Sequence, residues 1–173
     1  MIEKTMYGDA VVYLKFIPAT EYLKMEGAVP SSVHGFPIKN DSILFTVNPR
    51  GIDIIGGHIE KGETSEIALI RESDEEASIK PTDFTLIGAI EVDNRDNPKA
   101  IEAGYPPKGY QLFYAIKHYE TFPFEATHEC TSRQYVKIED IQKTHHKWLK
   151  THENILDEMK SMLKITKKPK LKM

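Results

Sequence analysis

The segment that begins at Gly56 constrains the fold of this chain more than any other part of its sequence. Gly56 and Gly57 follow a strand-like run at residues 52–55, and residues 65–77 then contain neither proline nor glycine. Apolar residues recur in that second segment with a period of about 3.6, which predicts a helix. We therefore expect a β-hairpin that leads through a glycine-containing loop directly into a helix.

Three carboxylates lie on one face of this predicted helix. Glu72, Glu75 and Glu76 are three and four residues apart or adjacent, so they share a side and repel one another by roughly a few tenths of a kcal/mol per pair. A bound hard cation would offset that repulsion, and oxygen ligands favour Mg²⁺, with Mn²⁺ as a substitute. Loop glycines allow close approach of a ligand to the backbone, and a helix N-terminus favours phosphate. The segment indicates metal-assisted phosphate chemistry, although a solvated acidic face is the common alternative.

Residues 57–79 resemble the signature of the Nudix hydrolase family. That signature reads Gly, five residues, Glu, seven residues, Arg-Glu, an aliphatic residue, any residue, Glu-Glu, any residue, Gly and an aliphatic residue. The matching residues at the required spacing are Gly57, Glu63, Arg71, Glu72, Glu75, Glu76 and Ile79.

Two serines depart from the family pattern. Ser73 replaces the aliphatic residue that faces the core, and Ser78 replaces the glycine after the helix. The Ser73 hydroxyl could bond to the carbonyl of Leu69, four residues earlier. Ser78 would have to adopt the left-handed conformation that glycine favours at a helix C-terminus.

The resemblance implies a site and a reaction. Mg²⁺ would be bound by Glu72, Glu75, Glu76 and the carbonyl of Gly57, while Glu63 and Arg71 would hold the loop and the helix in register. The implied reaction is hydrolysis of a pyrophosphate bond in a nucleoside diphosphate linked to another group. The metal would activate a water molecule and a carboxylate, Glu76 before Glu75, would remove its proton.

An additional carboxylate often comes from a distant loop in this family. Glu125 and Glu129 lie in the second polar loop, residues 119–132, and we favour Glu129 as the third catalytic carboxylate.

The rest of the chain is consistent with one mixed α/β (α+β) domain over residues 1–163. Strands are predicted at 10–17, 31–38, 42–47, 84–92, 109–118 and 134–138, and helical segments at 20–26 and at 141–163, the latter as one helix or two broken near Thr151. The resemblance adds a mixed sheet sandwiched between helices. Residues 93–108 are predicted as a functional or mobile loop, and the lysine-rich residues 164–173 as a frayed tail.

Composition excludes several classes of protein. Cys130 is the single cysteine, so an intramolecular disulfide and a cysteine-rich zinc site are impossible. A net charge of −3 argues against a surface built for nucleic acid. The apolar runs are too short to span a membrane, and the N-terminus lacks the pattern of a secretory signal, so we expect a cytoplasmic protein.

Other residues have open interpretations. His58 could contact phosphate or lie at the surface, His145 and His146 are expected to be exposed, and Tyr105 and Tyr110 could stack on a base or pack in the fold.

Three functions compete. A magnesium-dependent pyrophosphohydrolase is favoured over a non-catalytic nucleotide-sensing or protein-binding module of the same fold, and over an acidic helix without any ligand. The nucleotide derivative that serves as substrate stays open, and so does the oligomeric state, a homodimer included.

Overall fold

The computed structural model describes residues 1–165, so most of the lysine-rich tail predicted at 164–173 lies outside the described residues. The described part contains nine strands and five α-helices. In chain order they are β1 (Ile2–Tyr7), β2 (Ala10–Pro18), α1 (Ala19–Tyr22), β3 (Pro30–Lys39), β4 (Ser42–Asn48), β5 (Gly51–Asp53), β6 (Ile55–His58), α2 (Ser65–Ala77), β7 (Ile79–Asp93), α3 (Pro98–Glu102), β8 (Lys108–Thr121), β9 (Ser132–Lys137), α4 (Ile141–Thr144) and α5 (Lys150–Met162). Within residues 1–165, no helix is long and apolar enough to cross a bilayer.

The strands form one mixed sheet. Its order is β1-β2-β7-β8-β3-β4-β5, with β6 paired to β3 and β9 paired to β4. The β3–β8 pair is parallel, and the other pairs are antiparallel. Placing β6 beside β3 brings the glycine loop to the middle of the sheet, where α2 starts its return across the surface.

Both faces of the sheet are buried under helices. Successive residues of β8 point to opposite faces, as the pleat of a strand requires. Leu112, Tyr114 and Ile116 pack in one cluster with Ala68 and Leu69 of α2, while the neighbouring β8 residues enter a second cluster with α5. The members of the α5 cluster on these two elements are Phe113, Ala115, Ile155, Leu156 and Met159. The predicted fold class, a mixed sheet sandwiched between helices, is confirmed.

Two strands, one loop and the second helical region differ from the sequence prediction. Strand β1 was not expected, and β7 begins at Ile79 rather than at residue 84 because the chain passes through Pro81 at an irregular point of the β7–β8 ladder. The loop at 93–108 contains the short helix α3. The second helical region is two helices, and the break lies at residues 145–149, before Thr151.

Candidate functional site

Helix α2 is capped at both ends by side chains. The Thr64 hydroxyl accepts a hydrogen bond from the Ile67 N–H at 3.2 Å, which satisfies one free donor of the first turn. Ser78 ends the helix with φ 51° and ψ 46°, so the left-handed conformation expected at this position is confirmed. Its buried hydroxyl accepts a bond from the Glu125 N–H at 3.1 Å, which attaches the second polar loop to the end of the helix.

Arg71 joins the glycine loop to the acidic face of α2. Its guanidinium donates to both carboxylate oxygens of Glu63, at 2.7 and 3.0 Å, and to the carbonyl of His58 at 3.0 Å. It also donates to Glu72 at 2.8 Å and to Glu75 at 3.2 Å. The hydrogen bonds from Arg71 lower the pKa of Glu63 to about 2, so Glu63 stays ionised and the loop stays attached to the helix.

Gly57 lies directly against the Glu72 carboxylate. A Cβ atom at position 57 would lie 2.4 Å from Oε1 of Glu72, so any larger residue would displace the carboxylate or the loop. Burial raises the pKa of Glu72. The absence of a side chain at this one position therefore sets the distance between the loop backbone and the helix.

Glu76 is the most perturbed carboxylate of the site. Its Oε2 accepts a hydrogen bond from the Gly56 N–H at 3.0 Å. Burial raises the pKa of Glu76 to about 8, and the negative charges of Glu72, Asp53 and Glu129 contribute in the same direction. Within residues 1–165, the Glu76 carboxylate forms no ion pair, unlike Glu72 and Glu75, which are both paired with Arg71.

The donor atoms at this position fit a hard divalent cation. Carboxylate oxygens of Glu72, Glu75 and Glu76 and the nearby Gly57 carbonyl are the ligand type that Mg²⁺ and Mn²⁺ prefer. In the structure Glu72 and Glu75 are turned toward Arg71, and Glu76 is turned toward Gly56. The three carboxylates are thus on one face of α2, and each has a hydrogen-bonded partner.

A cavity of about 560 Å³ opens in front of Glu76, and we call it the glutamate cavity. Gly57 and Glu76 lie on one side of it, and Glu129 lines it as well. The Glu129 carboxylate forms an ion pair with Arg50 at 2.9 Å. Glu125 instead lines a separate surface cavity beside Glu75, so of the two loop candidates the structure brings Glu129 to the cavity of Glu76.

Five of the seven histidines of the chain line the glutamate cavity, a feature that the sequence analysis missed. They are His34, His58, His145, His146 and His152. Burial lowers the pKa of His34 to about 4 and that of His152 to about 3, so both are neutral at pH 7. Strands β3 and β6, the segment between α4 and α5, and α5 itself supply them, and their sequence separation hides the cluster.

The expectation that both His145 and His146 are exposed was wrong for His145. Its side chain is buried, and its Nε2 lies 3.1 Å from Oδ1 of Asp53, while Nε2 of His146 lies 3.3 Å from Oδ2. Burial alone would raise the pKa of Asp53, but the hydrogen bonds from His145 and Asn48 lower it well below its usual range. Asp53 lies 92 residues before His145, which is why the partner was not recognised.

Asp53, His145 and His146 are the one trio of described residues whose ligating atoms all lie within 4.8 Å of one another. Hydrogen bonding argues against a metal between them. Nδ1 of His145 accepts the Lys147 N–H at 3.0 Å, which places the ring proton on Nε2, facing Asp53. A metal bound at Nε2 would require a fully deprotonated ring, whereas metal-bound histidines normally donate their second N–H. The trio is a hydrogen-bonded support for the cavity wall.

Comparisons with known proteins agree with this geometry. The family model of the NUDIX domain matches residues 31–159. No curated protein matches the sequence.

Solved structures share the fold at low sequence identity. The Bacillus subtilis pyrophosphohydrolase BsRppH is 16% identical, with a TM-score of 0.61, over 92% of this chain and 97% of that one. A NUDIX hydrolase from Nitrosomonas europaea is 17% identical, with a TM-score of 0.59, over 80% of this chain and 97% of that one. A structure described as an ADP compounds hydrolase is 14% identical, with a TM-score of 0.57, over 95% and 92% of the two chains.

Proposed function

The chain belongs to the NUDIX family and is a hydrolase of the Nudix type, and we propose that it cleaves a pyrophosphate bond in a nucleoside diphosphate linked to another group. The proposed cofactor is Mg²⁺, with Mn²⁺ as a substitute. The observation that carries the proposal is the buried Glu76 carboxylate. It lines a cavity of about 560 Å³, which is large enough for a nucleotide, and burial raises its pKa to about 8, so an adjacent cation would favour its ionised form.

The residues have separate roles in this mechanism. Glu72, Glu75, Glu76 and the Gly57 carbonyl would hold the cation, whose charge neutralises phosphate oxygens and acidifies a bound water. Glu76 would then act as the base that accepts a proton from water, and Glu75 and Glu129 are the alternative carboxylates for this role. Arg71 and Glu63 keep the loop against the helix, because their paired hydrogen bonds fix both elements.

A non-catalytic binding module receives no support from the two departures from the family pattern. Ser73 lies in the core, and Ser78 preserves the left-handed helix end. Neither side chain lines the glutamate cavity. The substrate is a nucleotide derivative in this proposal.

Replacing Glu76 by glutamine tests the proposal. Glutamine preserves size and removes the charge, so we expect hydrolysis of a nucleotide panel with Mg²⁺ to fall by about a hundredfold or more, as for loss of a base or metal ligand. Glu66→Gln is the matched control, because Glu66 is an exposed glutamate of the same helix. Turnover by Glu76→Gln close to that of the control would contradict the assignment.

A further inference from the structure

A second cavity, of about 300 Å³, adjoins the glutamate cavity, and we call it the loop cavity. Four residues line both cavities: Tyr7, Ser32, His58 and Gln111. The other walls come from β2, β7, the start of β8 and the segment 94–106. A ligand with phosphates near Gly57 could therefore extend past His58 into the loop cavity without leaving the protein.

The loop that forms the outer wall has a defined shape. The Asn94 N–H donates to the carbonyl of Pro107 at 2.8 Å, and its side-chain amide donates to the carbonyl of Pro106 at 3.2 Å, so both ends of the loop are joined. Gly104, with φ +89°, reverses the chain after α3, and the Tyr105 N–H then donates to the carbonyl of Ala100 at 3.0 Å. The wall is built before any ligand arrives, which reduces the entropy cost of binding.

The lining of the loop cavity combines aliphatic residues with uncharged polar ones, and it contains no Asp, Glu, Lys or Arg. Val12, Val92, Ala100 and Pro106 supply aliphatic surface, and Tyr105 supplies a ring. The glutamate cavity, in contrast, is lined by three carboxylates and by basic side chains. A phosphate or another charged group would lose hydration in the loop cavity without gaining a counter-charge.

Most polar groups of the loop cavity are already bonded to the protein. The Ser31 hydroxyl donates to the carbonyl of Tyr110 at 3.3 Å, and the Asn97 side-chain oxygen accepts from the Ala100 N–H at 3.3 Å. The Asn94 amide is engaged with Pro106, as described above. A sugar with several hydroxyls would find few partners there, whereas a flat heterocycle needs few hydrogen bonds and gains from contact with an aromatic ring.

Tyr105 lines the loop cavity and contacts His58, which lines both cavities. Its hydroxyl is 3.4 Å from Nε2 of His58, and the two ring centroids are 5.8 Å apart. The side chain is 43% exposed. The hydroxyl is therefore held beside the glycine loop while part of the ring remains accessible.

We propose that the loop cavity binds an uncharged planar ring of the substrate, of the nucleobase class, stacked on Tyr105. This inference rests on the proposed function for the position of the phosphates, but binding of the ring can be measured without turnover. Stacking of a base on an aromatic side chain contributes about 1–3 kcal/mol. At the lower end, ring binding corresponds to roughly a fivefold gain in affinity, and at 1.4 kcal/mol to tenfold.

Calorimetric titration of the full chain with AMP, GMP, CMP and UMP tests the proposal, with ribose 5-phosphate as the ligand that lacks a ring. We expect at least one nucleotide to bind about tenfold more tightly than ribose 5-phosphate. Tyr105→Ala should lose that preference and Tyr105→Phe should retain it, because phenylalanine keeps the ring.

A second pair of variants tests the cavity rather than the tyrosine. Ala100→Phe should fill the cavity and abolish the preference, whereas Ile101→Phe introduces the same side chain at an exposed position of the same helix and should retain it. Equal binding of all four nucleotides and ribose 5-phosphate would overturn the proposal, and so would an unchanged preference in both Tyr105→Ala and Ala100→Phe. Hydrolysis is assayed separately: absence of turnover with a ring preference contradicts the proposed function alone.

Discussion

At the residue scale, Ser73 places a polar hydroxyl group in the buried interior without a hydrogen-bond partner among the described residues. Its side chain is fully buried in α2, and within residues 1–165 its hydroxyl has no hydrogen-bond partner. The bond to the Leu69 carbonyl that the sequence suggested is therefore absent among the described contacts. The family pattern has an aliphatic residue at this position, and the structure shows the cost of the exchange.

Replacing Ser73 by alanine should stabilise the protein. Alanine removes the unsatisfied hydroxyl and has the higher helix propensity, so we expect a gain of about 1–2 kcal/mol in the free energy of unfolding by chemical denaturation. Ser161→Ala on the exposed face of α5 is the control for propensity alone, and it should gain only about 0.5 kcal/mol. Equal gains in the two variants would show that the buried hydroxyl carries no penalty.

His152 should contribute to acid sensitivity. Burial lowers the pKa of His152 in the folded protein to about 3, whereas a histidine in the unfolded chain has a pKa of about 6.5, so between these pH values the unfolded chain binds a proton that the folded protein does not. Stability from this group is complete above about pH 6.5 and falls as the pH decreases, by roughly 1.4 kcal/mol per pH unit for one proton.

His152→Gln should reduce the slope of stability against pH in this window. Glutamine can accept the Leu149 N–H that Nδ1 of His152 accepts at 3.2 Å, so the start of α5 stays capped. His118→Gln, at an exposed site, should leave the slope near the wild-type value. A wild-type slope in His152→Gln would contradict the assignment of a neutral buried ring.

At the element scale, the first strand holds the start of the last helix. The Glu3 carboxylate of β1 accepts the N–H groups of Lys150 and Thr151 at 2.9 and 2.8 Å, which satisfies two free donors of the first turn of α5. The Lys147 ammonium also donates to the carbonyl of Met6. The segment between α4 and α5, which carries His145 and His146, is fixed from this side.

Glu3→Ala should lower the free energy of unfolding by about 1–2 kcal/mol, the usual effect of losing a charged helix cap. Lys4→Ala is the control, since Lys4 is the exposed neighbour on the same strand. Thermal melts of both variants measure the difference. A melt of Glu3→Ala identical to that of Lys4→Ala would show that solvent replaces the carboxylate without cost.

Local signals explain which elements could be predicted. Helix α2 was predicted to its exact bounds, since its apolar period and its lack of proline and glycine both indicate the same helix. Strand β1 was missed because its exposed, mixed residues lack the alternation of a buried strand. The break after α4 depends on the contact between His145 and Asp53, which a reading of neighbouring residues cannot detect.

At the scale of the whole molecule, local sequence patterns predicted one part of the site and missed the other. The spacing of the glutamates indicated the acidic face of α2, and the structure adds the position of Glu129 at the cavity of Glu76. The histidine wall and the loop cavity form only when β3, β6, β8 and the long loops meet, so no local pattern contains them. The sequence predicted functional residues that lie close together along one helix. It did not predict residues that separate strands and loops bring together in the fold.

Magnesium should stabilise the folded protein. The carboxylates that surround Glu76 repel one another, and a cation that binds only the folded state adds RT ln(1 + [Mg²⁺]/Kd) to the free energy of unfolding. At a concentration ten times Kd this is about 1.4 kcal/mol, which corresponds to a rise in Tm of roughly 3–6 °C for a chain of this size. Differential scanning calorimetry at increasing Mg²⁺ measures the shift, and Glu76→Gln should lose most of it while Glu66→Gln keeps it. A Tm that rises equally in both variants would show that Mg²⁺ acts elsewhere on the surface, and the metal position assigned to α2 would then be wrong.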